Sequence, residues 1–373
     1  MNCGGGTGVV PDFGREVHAV LGLPFDAIDL TAACERVRDA VRRRSPCFVS
    51  TPNLNFLVAC RNDDEFRQSV LESDLSLADG APIVWMARLL GVPLPERVAG
   101  ATLFERLADS APPAVKVYFF GGPPSAAEDA CARLKGARSG LEGVGATSPG
   151  FGSVEAMSDD ATIDRINASG ADFVVVALGA RKGQAWIQRN RRRLAAPVIS
   201  HLGAVVNLTA ARIARAPHWV QLLQLEWLWR VKEEPALWRR YWHDGRALLG
   251  LLCMHVLPLA LELRRQRLRG VGAAAVLRQS GPDDAPVLHL DGAWTSTTLP
   301  VLRNRLQELA GRGAMPVLDL SATTFLDTAA IGLLMLLHGW CRTIGRRWSV
   351  VGVPVQVRRN LERCGAGYLM SNV

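Results

Sequence analysis

Asp79 follows an alternating apolar run, Leu75–Ala78, and precedes a helical pattern, so its carboxylate belongs to a loop at a strand end. That location suits a general base, which must reach the proton of an attacking substrate group. An ordinary aspartate titrates near ~4, so it is ionised at neutral pH yet weakly basic unless its pocket raises it. Asp79-Gly80 is equally a common turn pair, and position alone does not separate the two readings. Arg97, in the run PERVAG at Pro95–Gly100, is either a cation for an anionic group or half of a surface ion pair. Gly121 and Gly122 stand after a strand pattern and before a helix beginning near Ser125. Glycines there let the backbone approach a phosphate, or simply close a tight turn. Gly179 stands likewise, followed by Arg181 and Lys182, which meet a diphosphate or are solvated.

The elements that must position these residues read as an α/β domain. From Val17 to about Arg246, short apolar runs alternate with helical patterns, the signature of a largely parallel, Rossmann-like sheet. The expected strands are Cys47–Ser50, Val115–Phe120, Phe173–Leu178 and Pro197–Leu202. In such sheets ligands bind where loops leave the carboxyl ends of the strands. That rule singles out four loops: Thr51–Asn55, Gly121–Ser125, Gly179–Gln184 and Gly203–Asn207.

The organisation expected along the chain has five parts. A flexible tail covers 1–16, the α/β domain 17–211, a basic tryptophan-rich appendage 212–269, a linker 270–285 and a small second α/β domain 286–373. The appendage carries Trp219, Trp227, Trp229, Trp238 and Trp242, half of the ten tryptophans, interleaved with arginines. It continues into Ala247–Leu263, an apolar run just short of the ~20 residues that span a bilayer. His255, Pro258 and Glu262 weaken a spanning reading further. Tryptophan with arginine suits the membrane interface; the other reading is a buried helical pair with a solvated basic face. The segment 270–285 is rich in glycine, alanine and polar residues, as linkers are.

The net charge of +8 is unevenly spread. Residues 181–270 hold about 17 Arg and Lys against about 5 Asp and Glu, leaving the rest slightly acidic. Such a segment seeks an anionic partner: a diphosphate, a lipid headgroup or nucleic acid. Nucleic acid is the weakest of these, since there is no base-reading motif and the tryptophans sit among leucines. Eight cysteines form no Cys-x-x-Cys pair and have no histidine cluster beside them. A metal site or disulfide framework is therefore not expected, and a reducing compartment is. Met1–Val10 is glycine-rich and does not read as a secretory signal.

Several motifs in order resemble the WecG/TagA/CpsF glycosyltransferase family. They are LGLPFD at Leu21–Asp26, TPN at Thr51–Asn53, ADG ending at Gly80, ERVAG ending at Gly100, FFGG at Phe119–Gly122, VALGARK at Val176–Lys182, RAPHW at Arg215–Trp219 and LEWLWR at Leu225–Arg230. The resemblance covers about residues 17–246. It implies an inverting, metal-independent transfer without a cofactor, from a UDP-sugar donor such as N-acetylmannosamine or its uronic acid. The implied acceptor is a sugar on a polyprenyl diphosphate, used in cell-surface polysaccharide synthesis. The implied location is peripheral, on the cytoplasmic face of the bacterial inner membrane; a homo-oligomer stays open.

The family's catalytic base falls on Asp79, its active-site threonine and asparagine on Thr51 and Asn53, and the arginine of its RVAG motif on Arg97. Substrate contacts are expected at Gly121, Gly122, Gly179, Lys182, Gln184, Asn207, Arg215 and Arg230. Arginines would offset the charge growing on the departing diphosphate, an electrostatic role of the kind that dominates such catalysis. Two departures stand out. Gly183 and Gln184 replace the family's glutamine and glutamate, and Asn207 replaces an aspartate. An alternative is therefore a catalytically impaired transferase fold acting as a membrane-associated scaffold.

The second domain carries VLDLSATTFLDTAAIGLLMLL from Val317 to Leu337. This resembles the STAS domain of anti-sigma-factor antagonists, whose helix-opening serine is phosphorylated by a partner kinase. Thr328 takes the matching position. A phosphate there would add nearly two negative charges to a partner surface. Otherwise Thr328 or Asp327 serves as the helix cap.

Overall fold

The computed structural model describes residues 11–136, 139–212, 216, 217, 220, 226–233, 235, 238–268 and 274–371. Its chain forms two compact units. The first comprises Ile28–Val84 and Pro95–Leu248; the second comprises the chain up to Ala27, Trp85–Leu94 and everything from Leu249. The strands are β1 (Val17–Val20), β2 (Leu23–Asp26), β3 (Cys47–Ser50), β4 (Leu75–Ser76), β5 (Val115–Gly121), β6 (Leu141–Thr147) and β7 (Phe173–Ala177). They continue with β8 (Val198–His201), β9 (Val276–Ser280), β10 (Val287–Trp294), β11 (Val317–Asp319), β12 (Thr323–Leu326) and β13 (Ser349–Val351).

The first unit holds a six-stranded sheet in the order β4-β3-β8-β7-β5-β6. Every pairing in it is parallel. Both faces are covered, and the residues alternate accordingly. Val117, Phe119 and Val175 face one apolar cluster with helical Leu103, Phe104 and Val206. Tyr118, Phe120, Val174 and Val176 face the other, with Ile163, Trp186 and Ile187. Trp186 stacks on Phe120 at 4.4 Å between ring centroids. The first covering helix, Leu30–Arg43, shows why these segments are helical. Asp29 caps it by accepting from the Ala32 amide, and Leu30, Ala33, Cys34, Val37 and Ala40 form its buried stripe at three- and four-residue spacing. With both faces sealed, the open ground lies at the strand ends.

The second unit centres on β10. Its strands run β12-β10-β11-β13, with β9 also paired to β10. β9 lies antiparallel along Val287–Asp291, and β12 parallel along Gly292–Trp294. The helix Thr328–Thr343, buried from Thr328 to Cys341, forms its core. The hairpin β1–β2 belongs here as well. An antiparallel ribbon with all eight residues buried needs its own cover. Gly332 provides the close approach: a Cβ there would lie 2.6 Å from the Val17 carbonyl oxygen. Gly365 does the same against Leu21, at 2.7 Å from its carbonyl carbon.

Three expectations about organisation change. The tail expected over 1–16 is anchored from Pro11 onward: Phe13 is buried edge-on to Trp340, and Arg15 forms a buried ion pair with Asp26 at 2.6 Å. The span 17–211 is not one structural body, since β1 and β2 pack with the C-terminal unit. The segment 270–285 is not all linker. It contributes β9, an exposed edge strand whose polar outward residues hid its pairing.

In the appendage, Trp238–Gln266 is one helical stretch of 29 residues, long and apolar enough to cross a membrane, yet only 22% of its apolar window is buried. Trp238, Trp242, Leu249, Met254, Leu257 and Leu261 are all exposed.

Candidate active site

Four of the expected residues meet at the carboxyl ends of β3 and β4. Thr51 leaves β3 and is buried. Asn53 caps the next helix by accepting from the Phe56 amide at 3.2 Å. Asp79 leaves β4, and its amide donates to the Pro52 carbonyl at 3.0 Å, which ties it between Thr51 and Asn53. Gly80 has a positive φ of 124°, and a Cβ there would sit 3.9 Å from the Asn53 Cβ. That φ, which L side chains rarely adopt, is what calls for glycine here. The Val98 amide donates to the Ala78 carbonyl at 3.0 Å, drawing the Arg97 loop onto the same strand end. Gly100 closes that loop: a Cβ there would lie 3.4 Å from the Thr51 Oγ1 and 2.4 Å from Leu202.

Arg97 is itself paired. Its Nη2 donates to Glu226 Oε1 at 2.6 Å, with both side chains largely buried. Glu226 belongs to LEWLWR and was not singled out from the sequence; an acidic residue in a tryptophan-rich run carries no signal until its partner is seen. Gln184, on the helix Ala180–Asn190, reaches the end of β3, where its Nε2 donates to the Ser50 Oγ at 3.2 Å. Asn207 lies on the helix Gly203–Thr209 after β8.

The other expected contacts are more dispersed. Gly121 and Gly122 both have positive φ, and a Cβ on Gly121 would lie 2.7 Å from the Ala177 carbonyl oxygen. Gly121 is thus required for the close passage of β5 past β7, and Gly122 for that of the following turn past Val206, 3.1 Å from a Cβ placed there. Gly179 has open space around it and begins the Ala180–Asn190 helix with no side-chain cap. Lys182 is exposed and donates to the Gly152 carbonyl at 2.8 Å, away from Asp79's immediate partners. Arg215 lies outside the described residues, as does the side chain of Arg230.

Thr328 does not stand where a kinase would find it. It is buried, at 7% exposure, and its Oγ1 lies 3.0 Å from His18 Nδ1 on β1. Asp327 is the helix cap, accepting from the Ala330 amide at 2.8 Å. Burial, with the nearby Arg303 charge, lowers the His18 pKa to about 4, so this imidazole is neutral at physiological pH.

Loops at the carboxyl ends of a parallel sheet covered on both faces, bringing the backbone of Asp79 beside Thr51 and Asn53 and the Arg97 loop onto the same strand end, are where an α/β enzyme places its site. Residues 18–260 match the glycosyl transferase WecG/TagA/CpsF family, and the chain belongs to it. Residues 277–371 match a Mlab, STAS domain. Among curated relatives, an N-acetylglucosaminyldiphosphoundecaprenol N-acetyl-beta-D-mannosaminyltransferase of Bacillus spizizenii is 30% identical over 195 residues, covering 52% of this chain and 74% of the relative. A protein of the same name from Bacillus subtilis is 25% identical over 228 residues, covering 60% of this chain and 87% of the relative. The chain is a glycosyltransferase that carries a STAS domain at its C-terminal end.

Proposed function

We propose that the chain transfers N-acetylmannosamine, or a close N-acetylhexosamine, from a UDP donor to a sugar carried on a polyprenyl diphosphate, with inversion. The observation that carries this reading is the fixed position of Asp79 beside Thr51 and Asn53. In the reaction the acceptor oxygen bonds to the anomeric carbon as its proton passes to the Asp79 carboxylate. The bond from that carbon to the UDP oxygen breaks, and the leaving diphosphate takes the electron pair. Arg97 pairs with Glu226 through one nitrogen, and its remaining guanidinium donors serve the departing charge. Thr51 and Asn53 orient the acceptor hydroxyl.

The acceptor's lipid suggests work at a membrane surface, on its cytoplasmic side. The exposed Trp238, Trp242, Leu249 and Met254 support peripheral docking there. For the STAS unit we infer a docking role. A kinase or other protein partner acting at Thr328 reaches it only after the β1–β2 hairpin has moved. The transferase reading is tested by incubating purified protein with UDP-N-acetylmannosamine and a short-prenyl diphosphate acceptor. A β-linked disaccharide-lipid is the expected product. No product with any UDP-N-acetylhexosamine, from folded protein, would overturn it and favour the scaffold.

A further inference from the structure

His201 ends β8 at the same strand ends as Thr51 and Gln184, and its ring fills the space over Gly183. A Cβ on Gly183 would lie 2.3 Å from the His201 Cδ2 and 3.2 Å from its Nε2. No side chain at 183 is compatible with the imidazole where it stands. A glutamine at 183, which the resembled family carries, and the imidazole exclude one another, so Gly183 is what lets His201 stand here.

The nitrogen so placed is unspent. His201 Nε2 is sealed from solvent and has no hydrogen-bond partner among the described residues. The same holds for Gln184 Oε1, on a side chain only 1% exposed, and for Asn207 Oδ1. The three come from neighbouring elements. Gln184 follows Gly183 and is tied to Ser50, at the end of the strand paired with β8. Gly203 lies with its Cβ direction 3.5 Å from His201 Nε2, and Asn207 stands one helical turn beyond Gly203 on the same face. Native interiors rarely leave buried polar atoms without partners, and a cluster of them beside a reaction centre marks where a ligand supplies the missing bonds.

We propose that His201 is a specificity-determining residue of this transferase, which with Gln184 and Asn207 forms an uncharged hydrogen-bonding set for the hydroxyl and acetamido groups of the donor sugar. The inference rests on the transferase reading given above. Two of its three atoms are carbonyl oxygens, which accept from O–H and N–H groups and repel a carboxylate. Burial also lowers the His201 pKa to about 4, so the imidazole offers no positive charge at neutral pH. Where this set meets C6 of the donor, it accepts from the hydroxymethyl group of a neutral N-acetylhexosamine and repels the carboxylate of a uronic acid.

The test compares wild type, His201→Ala, His201→Gln and Gly183→Ala, each confirmed as folded by its thermal transition. UDP-N-acetylmannosamine, its uronic acid and free UDP serve as probes. The wild type is expected to favour the neutral donor by at least about tenfold in kcat/KM. His201→Ala should raise the KM for that donor about tenfold while UDP affinity stays within about twofold. His201→Gln should restore part of the loss. Gly183→Ala should reproduce the defect by displacing the ring without touching position 201. An active wild type whose donor KM is unmoved by His201→Ala and Gly183→Ala would overturn the inference and leave the transferase reading standing. An inactive wild type that binds no nucleotide sugar would sink that reading itself.

Discussion

Removing the Thr328 hydroxyl should loosen the N-terminal hairpin from the STAS unit. The Oγ1 is the partner of His18 Nδ1 at 3.0 Å, and His18 Nε2 has no other partner among the described residues. Thr328→Val keeps the shape and strands a buried imidazole without any hydrogen bond, at a cost of about 1–3 kcal/mol. For a unit of this size each kcal/mol lowers the melting temperature by roughly 2–4 °C. Acid should do the same to the wild type. The His18 pKa falls from 6.5 when unfolded to about 4 when folded, so the unfolded state binds the extra proton between those values. Stability tied to the neutral ring is whole above pH 6.5 and is lost as pH falls towards 4, about 3 kcal/mol in total. Hydrogen exchange of amides 17–26 reads the hairpin directly. Lower protection factors, with rates referred to the intrinsic exchange rate at each pH, are expected in Thr328→Val at pH 7 and in the wild type at pH 5. Wild-type protection in both cases would show that the His18–Thr328 contact does not hold the hairpin, as would an acid response that survives in His18→Gln.

Other consequences are as direct. Gly100→Ala places a Cβ 2.4 Å from Leu202 Cδ2 and 3.4 Å from Thr51, so it should cost about 1–3 kcal/mol and lower kcat more than donor binding; a thermal melt with steady-state kinetics checks both. Glu226→Gln removes the charge opposite Arg97, and the transfer rate should drop about tenfold or more with little change in fold, as single-turnover assays would report. Replacing Trp238, Trp242 and Leu249 together with serine should abolish flotation with anionic liposomes, while the secondary structure seen by circular dichroism is unchanged.

The parallel sheet was legible because its strands are buried on both faces and read as short continuous apolar runs. Cys47–Ser50 is found with the expected ends. β6 was harder: Leu141–Thr147 contains Gly143 and Gly145, which bring it against Cys131 and Tyr118 and dilute its apolar pattern. β9 is an exposed edge whose pairing depends on β10, far from anything its own residues announce. The cluster around Asp79 was legible through its motifs, because the residues of a strand-end loop are local in sequence. Glu226, His201 and the covering of Thr328 by His18 were not. Each depends on a partner more than a hundred positions away, or on a space vacated by a glycine.

If the Asp79 carboxylate takes the acceptor proton, Asp79→Asn removes that base, since the amide preserves shape and much of the hydrogen bonding but does not accept a proton. With donor and lipid acceptor saturating, single-turnover transfer should fall at least about a thousandfold, while UDP-sugar affinity and the melting temperature stay near those of the wild type. Transfer within about tenfold of wild type, from protein that binds donor normally, would contradict it.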